Sequence, residues 1–366
     1  MKEETARDLI DRLRRVTREP VAAERDARVS ASAYTSRERF EAERAIFRRV
    51  PLALAHASEV AETGAFVTRE VAGVPVVIVR AAEGLRAFVN VCRHRGTRLV
   101  DAERGRAKAF ACRYHAWTYD LRGALTHVPH RATFPTLEPS SRGLVALPCE
   151  ERHGIVWVAL EPTASMDLGA HLGPEIDDDL SGFALHDHVR VESVTQRRAC
   201  NWKLVIEAFL EGYHAKFLHA KTIARFFIDG ALVVDRFGRN VRSAGGRRDL
   251  AKADTIRDAA TLFYFIFPNT VLVLHPDWIS HITMFPESEA TSTYVHTMLV
   301  PRAAATDESR AHWHETWNLI EGAVFQKEDL VVADSIQASL SAGFERDFVI
   351  GGLELPIRYF HDALEG

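Results

Sequence analysis

At 366 residues the chain exceeds the roughly 250–300 residues at which a single hydrophobic core stops growing, so two domains are expected. Hydrophobic residues make up 47% of the chain and charged residues 26%, and no stretch approaches the ~18–20 unbroken apolar residues of a membrane-spanning helix. The 46 basic and 50 acidic residues are interspersed, giving a net charge of −4 with neither a basic stripe for nucleic acid nor a polybasic membrane anchor.

The N-terminal run MKEETARDLIDRLRRV mixes acids and bases and lacks the apolar core of a secretory signal, so a cytoplasmic protein is expected. Leu9, Ile10, Leu13 and Val16 recur at helical spacing in a segment free of Gly and Pro until Pro20. Residues 1–45 therefore read as amphipathic helices that pack on another domain.

From about 46 to 165 the texture changes to short β-rich runs, at 65–68, 74–79, 87–91 and 154–160, punctuated by Gly64, Gly73, Gly84, Gly96 and Gly105. That pattern predicts a small antiparallel β domain. Pro162 and the acids Glu175, Asp177, Asp178 and Asp179 mark a connection, placing the domain boundary between 160 and 190.

The second domain, 166–366, begins with a helical pattern from Asn201 to about 228. A basic stretch to 257 follows, with Arg236, Arg239, Arg242, Arg247 and Arg248, and reads as a solvated loop. Strands are expected near 261–267, 270–275, 279–285 and 292–300, and helices at about 305–322 and 324–343. The fold class is α+β: a small antiparallel β domain followed by an antiparallel sheet with helices on it.

The four cysteines are Cys92, Cys112, Cys149 and Cys200; in a reducing compartment they are expected as thiolates or core residues rather than disulfides. Two of them carry histidines at ligand spacing: Cys92-Arg93-His94-Arg95-Gly96 and, with 17 residues between His94 and Cys112, Cys112-Arg113-Tyr114-His115-Ala116-Trp117. Two Cys and two His can hold a tetrahedral zinc. Structural zinc sites, however, usually pair like ligands, whereas here each loop offers one Cys and one His. The mixed arrangement suits a Rieske [2Fe–2S] centre with Cys92 and Cys112 on one iron and His94 and His115 on the other.

On these residues, with Arg95, Gly96 and Trp117, the sequence resembles the Rieske domain family. Replacing two thiolates by neutral imidazoles raises the reduction potential relative to an all-cysteine cluster. Such a cluster carries single electrons, and its coordinatively full irons bind neither oxygen nor substrate.

A second constellation lies in Asn201-Trp202-Lys203 through Glu211-Gly212-Tyr213-His214 to His219. Two histidines and a carboxylate form the facial triad of non-haem Fe(II) oxygenases. The five-residue spacing sets His214 and His219 about 140° apart on a straight helix, so a π-bulge or a break after His214 is expected to bring them together.

This segment resembles the N-W-K…E-x-x-Y-H-x4-H signature of the catalytic alpha subunits of Rieske ring-hydroxylating oxygenases, and the resemblance runs through nearly the whole chain. It implies that His214 and His219 are iron ligands. It further implies that Glu211, where many members have Asp, links the iron site to the cluster histidine His115 of a neighbouring subunit. Ala208 departs from the family, which often carries Asn or Asp there. The third ligand is expected from the late segment Gln326-Lys327-Glu328-Asp329, as Asp329, with Glu328 its nearest competitor.

The resemblance implies a terminal oxygenase that uses O2, with electrons from NAD(P)H delivered by a reductase or ferredoxin, and a homotrimer, expected as α3 rather than α3β3. Its substrate is expected to be a small aromatic compound hydroxylated by mono- or dioxygenation; the alternative is O- or N-demethylation, or oxidation of a quaternary ammonium. Candidate pocket residues are Phe209, Phe226, Phe227, Phe263, Phe265, Leu274 and His281. An electron carrier with a Rieske centre alone, or a zinc-stapled binding module, are the competing classes.

Overall fold

The computed structural model describes residues 1–19, 26–344 and 346–365; Pro20, expected to close the first helix, lies outside them. The chain divides into two compact units, Ala45–Leu168 and the combination of Met1–Arg44 with Gly169–Gly366.

The smaller unit is built from antiparallel strands, as its alternating Val-rich runs demand. Val74–Ala81 sits centrally in a five-stranded sheet between Ala65–Val71 and Gly84–Val89, with short edges at Arg104–Arg106 and Ala146–Leu147. A second sheet joins Cys149–Arg152, Ile155–Val158 and Leu52–His56. Phe110–Ala111, Thr118–Tyr119 and Leu125–His127 form the third. One core of Phe66, Val77, Val79, Phe88, Phe110 and Trp117 includes Cys92 and Cys112.

The larger unit is organised by a seven-stranded antiparallel sheet. Its strands are β1 (His188–Arg198), β2 (Phe227–Phe237), β3 (Asn240–Arg247), β4 (Ala260–Ile266), β5 (Thr270–Leu274), β6 (Ile279–Ser288) and β7 (Thr291–Pro301), in the spatial order β1-β7-β6-β5-β4-β3-β2. Among its helices are α1 (Glu3–Val16), α2 (Arg37–Arg49), α3 (Trp202–Leu210), α4 (Ala215–Leu218), α5 (Arg310–Trp317), α6 (Leu330–Leu340) and α7 (Leu355–Glu365). Leu9, Ile10 and Leu13 bury the apolar stripe of α1, which packs on β2 and β3.

Three expectations need correction. The basic stretch after 228 is not a solvated loop but the hairpin β2–β3. Its central Arg242 is buried (6% exposed) because Asp179, at 2.6 Å, and Asp235, at 2.7 Å, neutralise it. The acidic stretch read as a connection, with Glu175, Asp177, Asp178 and Asp179, is instead part of a helix, Leu168–Gly182, and strand β1 follows it, with a Val189-Arg190-Val191-Glu192 alternation that is a strand signal. The two late helices run without interruption from Arg310 to Leu340, with Asn318–Asp329 wound as a π-helix between α5 and α6.

Burial, with Arg239 nearby, holds the His171 imidazole down at about 4. The unfolded chain takes up that proton near 6.5, so this contribution to stability is complete above pH 6.5 and is lost as the pH falls towards 4. The loss is up to roughly 3 kcal/mol before solvent screening reduces it. Burial pushes His188, His275 and His296 the same way. The urea midpoint is therefore expected to be lower at pH 5 than at pH 7.5, with His171→Gln narrowing the difference; equal midpoints for the wild type at both pH values would contradict the assignment.

Candidate active site

In the smaller unit two loops repeat one backbone pattern. Cys92 N–H donates to Thr97 O (2.8 Å) and Gly96 N–H to Cys92 O (3.0 Å); in the second loop Cys112 N–H donates to Trp117 O and Ala116 N–H to Cys112 O, each at 2.8 Å. Both turns place their fourth residue after the cysteine in the left-handed region, Gly96 at φ 76° and Ala116 at φ 54°. Glycine adopts this without strain, so Gly96 is legible as a turn residue while Ala116 is not.

The turns set the two thiols in the core and the two imidazoles at the rim. Cys92 and Cys112 are buried and form no disulfide, and His94 Nδ1 faces His115 Nδ1 at 3.1 Å. His94 stacks on Trp117 with centroids 4.6 Å apart, and the Tyr119 hydroxyl donates towards Cys92 Sγ at 3.5 Å while accepting from Arg93 N–H at 3.0 Å. Two buried sulfurs and two ring nitrogens aimed at one place fit a [2Fe–2S] cluster held by two thiolates and two imidazoles.

In the larger unit, α3 starts at Asn201, whose side chain accepts from Lys203 N–H (3.0 Å) in an N-cap. It ends at Leu210, and Glu211 is extended. The expected break thus falls before His214, not after it: His214 caps the N-terminus of the short α4 and His219 follows its end. Placing the two histidines at opposite ends of one helical turn answers the angular problem of the five-residue spacing. Their Nε2 atoms lie 3.1 Å apart.

Asp329, the last residue of the π-helix, brings Oδ1 to 3.3 Å from His219 Nε2 and 3.5 Å from His214 Nε2. That oxygen is buried and makes no well-formed hydrogen bond, and the three ligand atoms lie within 4.8 Å of one another. A buried carboxylate oxygen without a donor is costly, and a metal ion is the natural partner where two imidazole nitrogens converge on it. Two His and one carboxylate with open positions fit non-haem Fe(II).

The neighbouring carboxylates have other partners. Glu328 Oε2 accepts from His219 Nδ1 at 2.7 Å and from Thr222 Oγ1 at 2.8 Å, and Glu211 accepts from His214 Nδ1 and from the backbone N–H of Tyr213. Each imidazole is thus oriented through its outer nitrogen, as metal-bound histidines usually are. Burial alone would lower the His219 pKa, but Asp329 and Glu328 outweigh it and raise it above the ordinary histidine value.

A cavity of about 410 Å³ adjoins the three residues. Phe209, Phe227 and Phe263 line it, together with Phe325, which sequence reasoning missed. The signal was available, since Phe325 stands four residues before Asp329 and shares its side of the helix. Phe226, Phe265, Leu274 and His281 do not line the cavity: Phe226 is exposed, and the other three are buried within the sheet.

A thiolate–imidazole cluster site in one unit and an open two-histidine, one-carboxylate site in the other are the marks of a two-centre iron redox enzyme. Comparison with known proteins agrees. Residues 50–138 match the Rieske [2Fe–2S] domain and residues 185–365 the ring hydroxylating alpha subunit (catalytic domain). The carnitine monooxygenase oxygenase subunit of Escherichia coli K12 is 29% identical, with 92% of both chains covered. The biphenyl 2,3-dioxygenase subunit alpha of Rhodococcus jostii RHA1 is 33% identical over 52% of this chain and 43% of its own. Among solved structures, the quaternary ammonium Rieske monooxygenase CntA in complex with L-carnitine superposes with a TM-score of 0.79 at 25% identity, covering 92% of this chain and 94% of that one. The chain belongs to the Rieske ring-hydroxylating oxygenase family and is its terminal oxygenase (alpha) subunit. As such it is an oxidoreductase with a Rieske cluster and a mononuclear iron, supplied with electrons by a reductase. No described helix is long and apolar enough to cross a membrane.

Proposed function

We propose that this oxygenase inserts one oxygen atom into a small quaternary ammonium compound, with Cys92, His94, Cys112 and His115 holding the cluster and His214, His219 and Asp329 the iron. The observation that carries this reading is the Phe209, Phe227, Phe263 and Phe325 lining of the cavity beside those three ligands. Ring faces attract a cation that carries no hydrogen-bond donors, and carnitine monooxygenase oxygenase subunits are similar over 84–92% of this chain. A second reading, hydroxylation of an aromatic ring, is favoured by the biphenyl and benzene dioxygenase alpha subunits, since the same rings can stack on a flat substrate.

When bound, the metals supply the electrons and the oxygen site; the protein supplies orientation and shelter. The phenylalanines exclude water around the substrate and His214 and His219 are held by Glu211 and Glu328. In this reading Glu211 also meets His115 of a second copy, giving a hydrogen-bonded path between the centres in a homotrimer. In support, the apolar residues Tyr213 (57% exposed), Phe217 (68%), Val332 (41%) and Val349 (54%) lie open to solvent near Glu211 in sequence or in a shared cleft, as expected of a surface that a partner copy covers. NAD(P)H is the expected source of electrons, through a reductase or ferredoxin.

The test is ligand perturbation of the EPR spectrum of the ferrous nitrosyl complex, followed by turnover with NADH and a Rieske-oxygenase reductase. Trimethylammonium compounds are expected to perturb the spectrum and yield oxygenated product, and Phe263→Ala to weaken their binding roughly tenfold, the worth of about 1–2 kcal/mol of cation–π contact. Perturbation and product from biphenyl or benzene, with none from trimethylammonium compounds, would establish the second reading instead.

A further inference from the structure

The π-helix Asn318–Asp329 delivers Asp329, and it needs a cause. Bonding from residue i to i+5 is poorer than the α pattern and persists where surrounding contacts hold it, frequently at functional sites. Each residue so wound turns the chain less than an α residue does, so relaxation of the segment to α would swing Asp329 around the helix axis and away from the histidines.

One buried carboxylate ties the segment in place. Glu321 is 4% exposed and sits in the first turn of the π-helix, facing β7. Its Oε2 accepts from Tyr294 Oη at 2.9 Å and from His296 Nδ1 at 2.8 Å. Tyr294 and His296 are two apart on β7 and therefore share a face. His296 is fully buried and its Nε2 meets Ser280 Oγ of β6 at 2.9 Å, so the carboxylate is anchored to two adjacent strands. The other oxygen, Oε1, accepts from Gln326 Nε2 at 2.5 Å, a side-chain bridge from i to i+5 that spans the π turn three residues before Asp329.

The same network sets the cavity wall. The His296 ring lies between Trp317, stacked at 4.7 Å, and Phe325 at 5.2 Å, and Phe325 in turn meets Phe209 edge-on at 4.9 Å. The polar members of this group supply none of the three proposed ligand atoms, yet Tyr294 and His296 are buried against the carboxylate, with Ser280 buried behind His296 and Gln326 half-buried at its other oxygen. A buried polar network is retained when every member is satisfied, and then it fixes one arrangement.

We infer that Glu321 is a positioning residue: braced by Tyr294 and His296 and bridged to Gln326, it holds the helix in its π winding, so that Asp329 faces His214 and His219 and Phe325 closes the cavity. Burial works against its charge, and the donors from His296, Gln326 and Tyr294 overcome this and lower the carboxyl's pKa, consistent with a carboxylate accepting from three donors.

The inference rests on Asp329 being a metal ligand, and the experiment separates the two. Iron per chain, Fe(II) affinity and the ferrous nitrosyl EPR spectrum are measured for the wild type, Glu321→Gln and Gln326→Met, with the Rieske EPR signal of the dithionite-reduced protein as the internal standard. Glu321→Gln keeps the shape but turns an N–H group against one of the donors; Gln326→Met removes only the bridge across the π turn. The expected result is an unchanged Rieske signal, an Fe(II) affinity lower by roughly 10–100-fold, the usual effect of losing an outer-shell partner, and an altered nitrosyl spectrum in both variants. Wild-type affinity and an unchanged nitrosyl spectrum in the variants would overturn the inference while leaving the iron site intact, even if thermal stability fell. A wild type that binds no iron beyond its cluster would overturn the site itself. Should Glu321→Gln fail to fold, Gln326→Met decides alone.

Discussion

Asp329→Ala is expected to take the purified protein from about three irons per chain to about two, the number in a [2Fe–2S] cluster, with product formation lost and the Rieske EPR signal intact. The side chain is 5% exposed, its Oδ1 lies 3.3 Å and 3.5 Å from the two imidazole nitrogens, and no donor satisfies it. Deleting it leaves two neutral ligands and an enlarged opening, too weak a set to retain Fe(II) through purification. The cluster is expected to be untouched because the four residues proposed to hold it belong to another compact unit with its own core. Glu328→Ala is the control, since its carboxylate holds His219 Nδ1 from outside. It is expected to weaken iron binding by roughly 10–100-fold without abolishing it. Iron analysis and EPR on both variants decide the matter: three irons in Asp329→Ala and two in Glu328→Ala would exchange the roles of the neighbours.

How much of this was legible in sequence follows from how local each feature is. Cys92-x-His94, Cys112-x2-His115 and His214-x4-His219 each lie within one loop or helical turn, so ligand chemistry and spacing single them out directly as candidates. Asp329 comes from more than a hundred residues away; what made it the candidate was a resemblance, and what separates it from Glu328 is the direction each side chain takes from the helix. The π winding that sets this direction depends on Tyr294 and His296, contributed by a different element, and a single sequence shows no trace of it. The hairpin β2–β3 was hidden for a related reason. Arg236, Arg239, Arg242 and Arg247 read as solvated charge, and the approach of Asp179, from the distant 168–182 segment, and of Asp235 reveals that Arg242 is an interior residue. The break in the 201–219 segment, by contrast, was expected from geometry and misplaced by a few residues, because Glu211 and Gly212 end α3 ahead of His214.

The largest effect on stability is expected at a position remote from both metal sites, Glu43 of α2. Lys203, near the start of α3, is 1% exposed and its Nζ lies 2.6 Å and 2.7 Å from the two oxygens of Glu43. Trp202 Nε1 donates to the same carboxylate at 2.9 Å. Glu43→Ala strands an ammonium in the interior, and breaking a buried pair from one side costs about 3–5 kcal/mol. For a unit of this size that corresponds to a fall in Tm of roughly 6–20 °C. The pH dependence carries the signature of the cause. Burial already lowers the Lys203 pKa although Glu43 opposes it; without Glu43 the folded state binds that proton still less readily than the unfolded chain, so the variant gains stability as the pH rises towards the unfolded lysine value near 10.4. Replacing both partners, in Glu43→Leu with Lys203→Met, removes the stranded charge and is expected to recover most of the loss. Thermal melts of the wild type and the two variants at pH 7 and 9 test this. A Glu43→Ala protein as stable as the wild type, or a double variant no better than the single one, would show that the pair is not what fastens α2 to α3, the helix that carries Phe209 into the cavity.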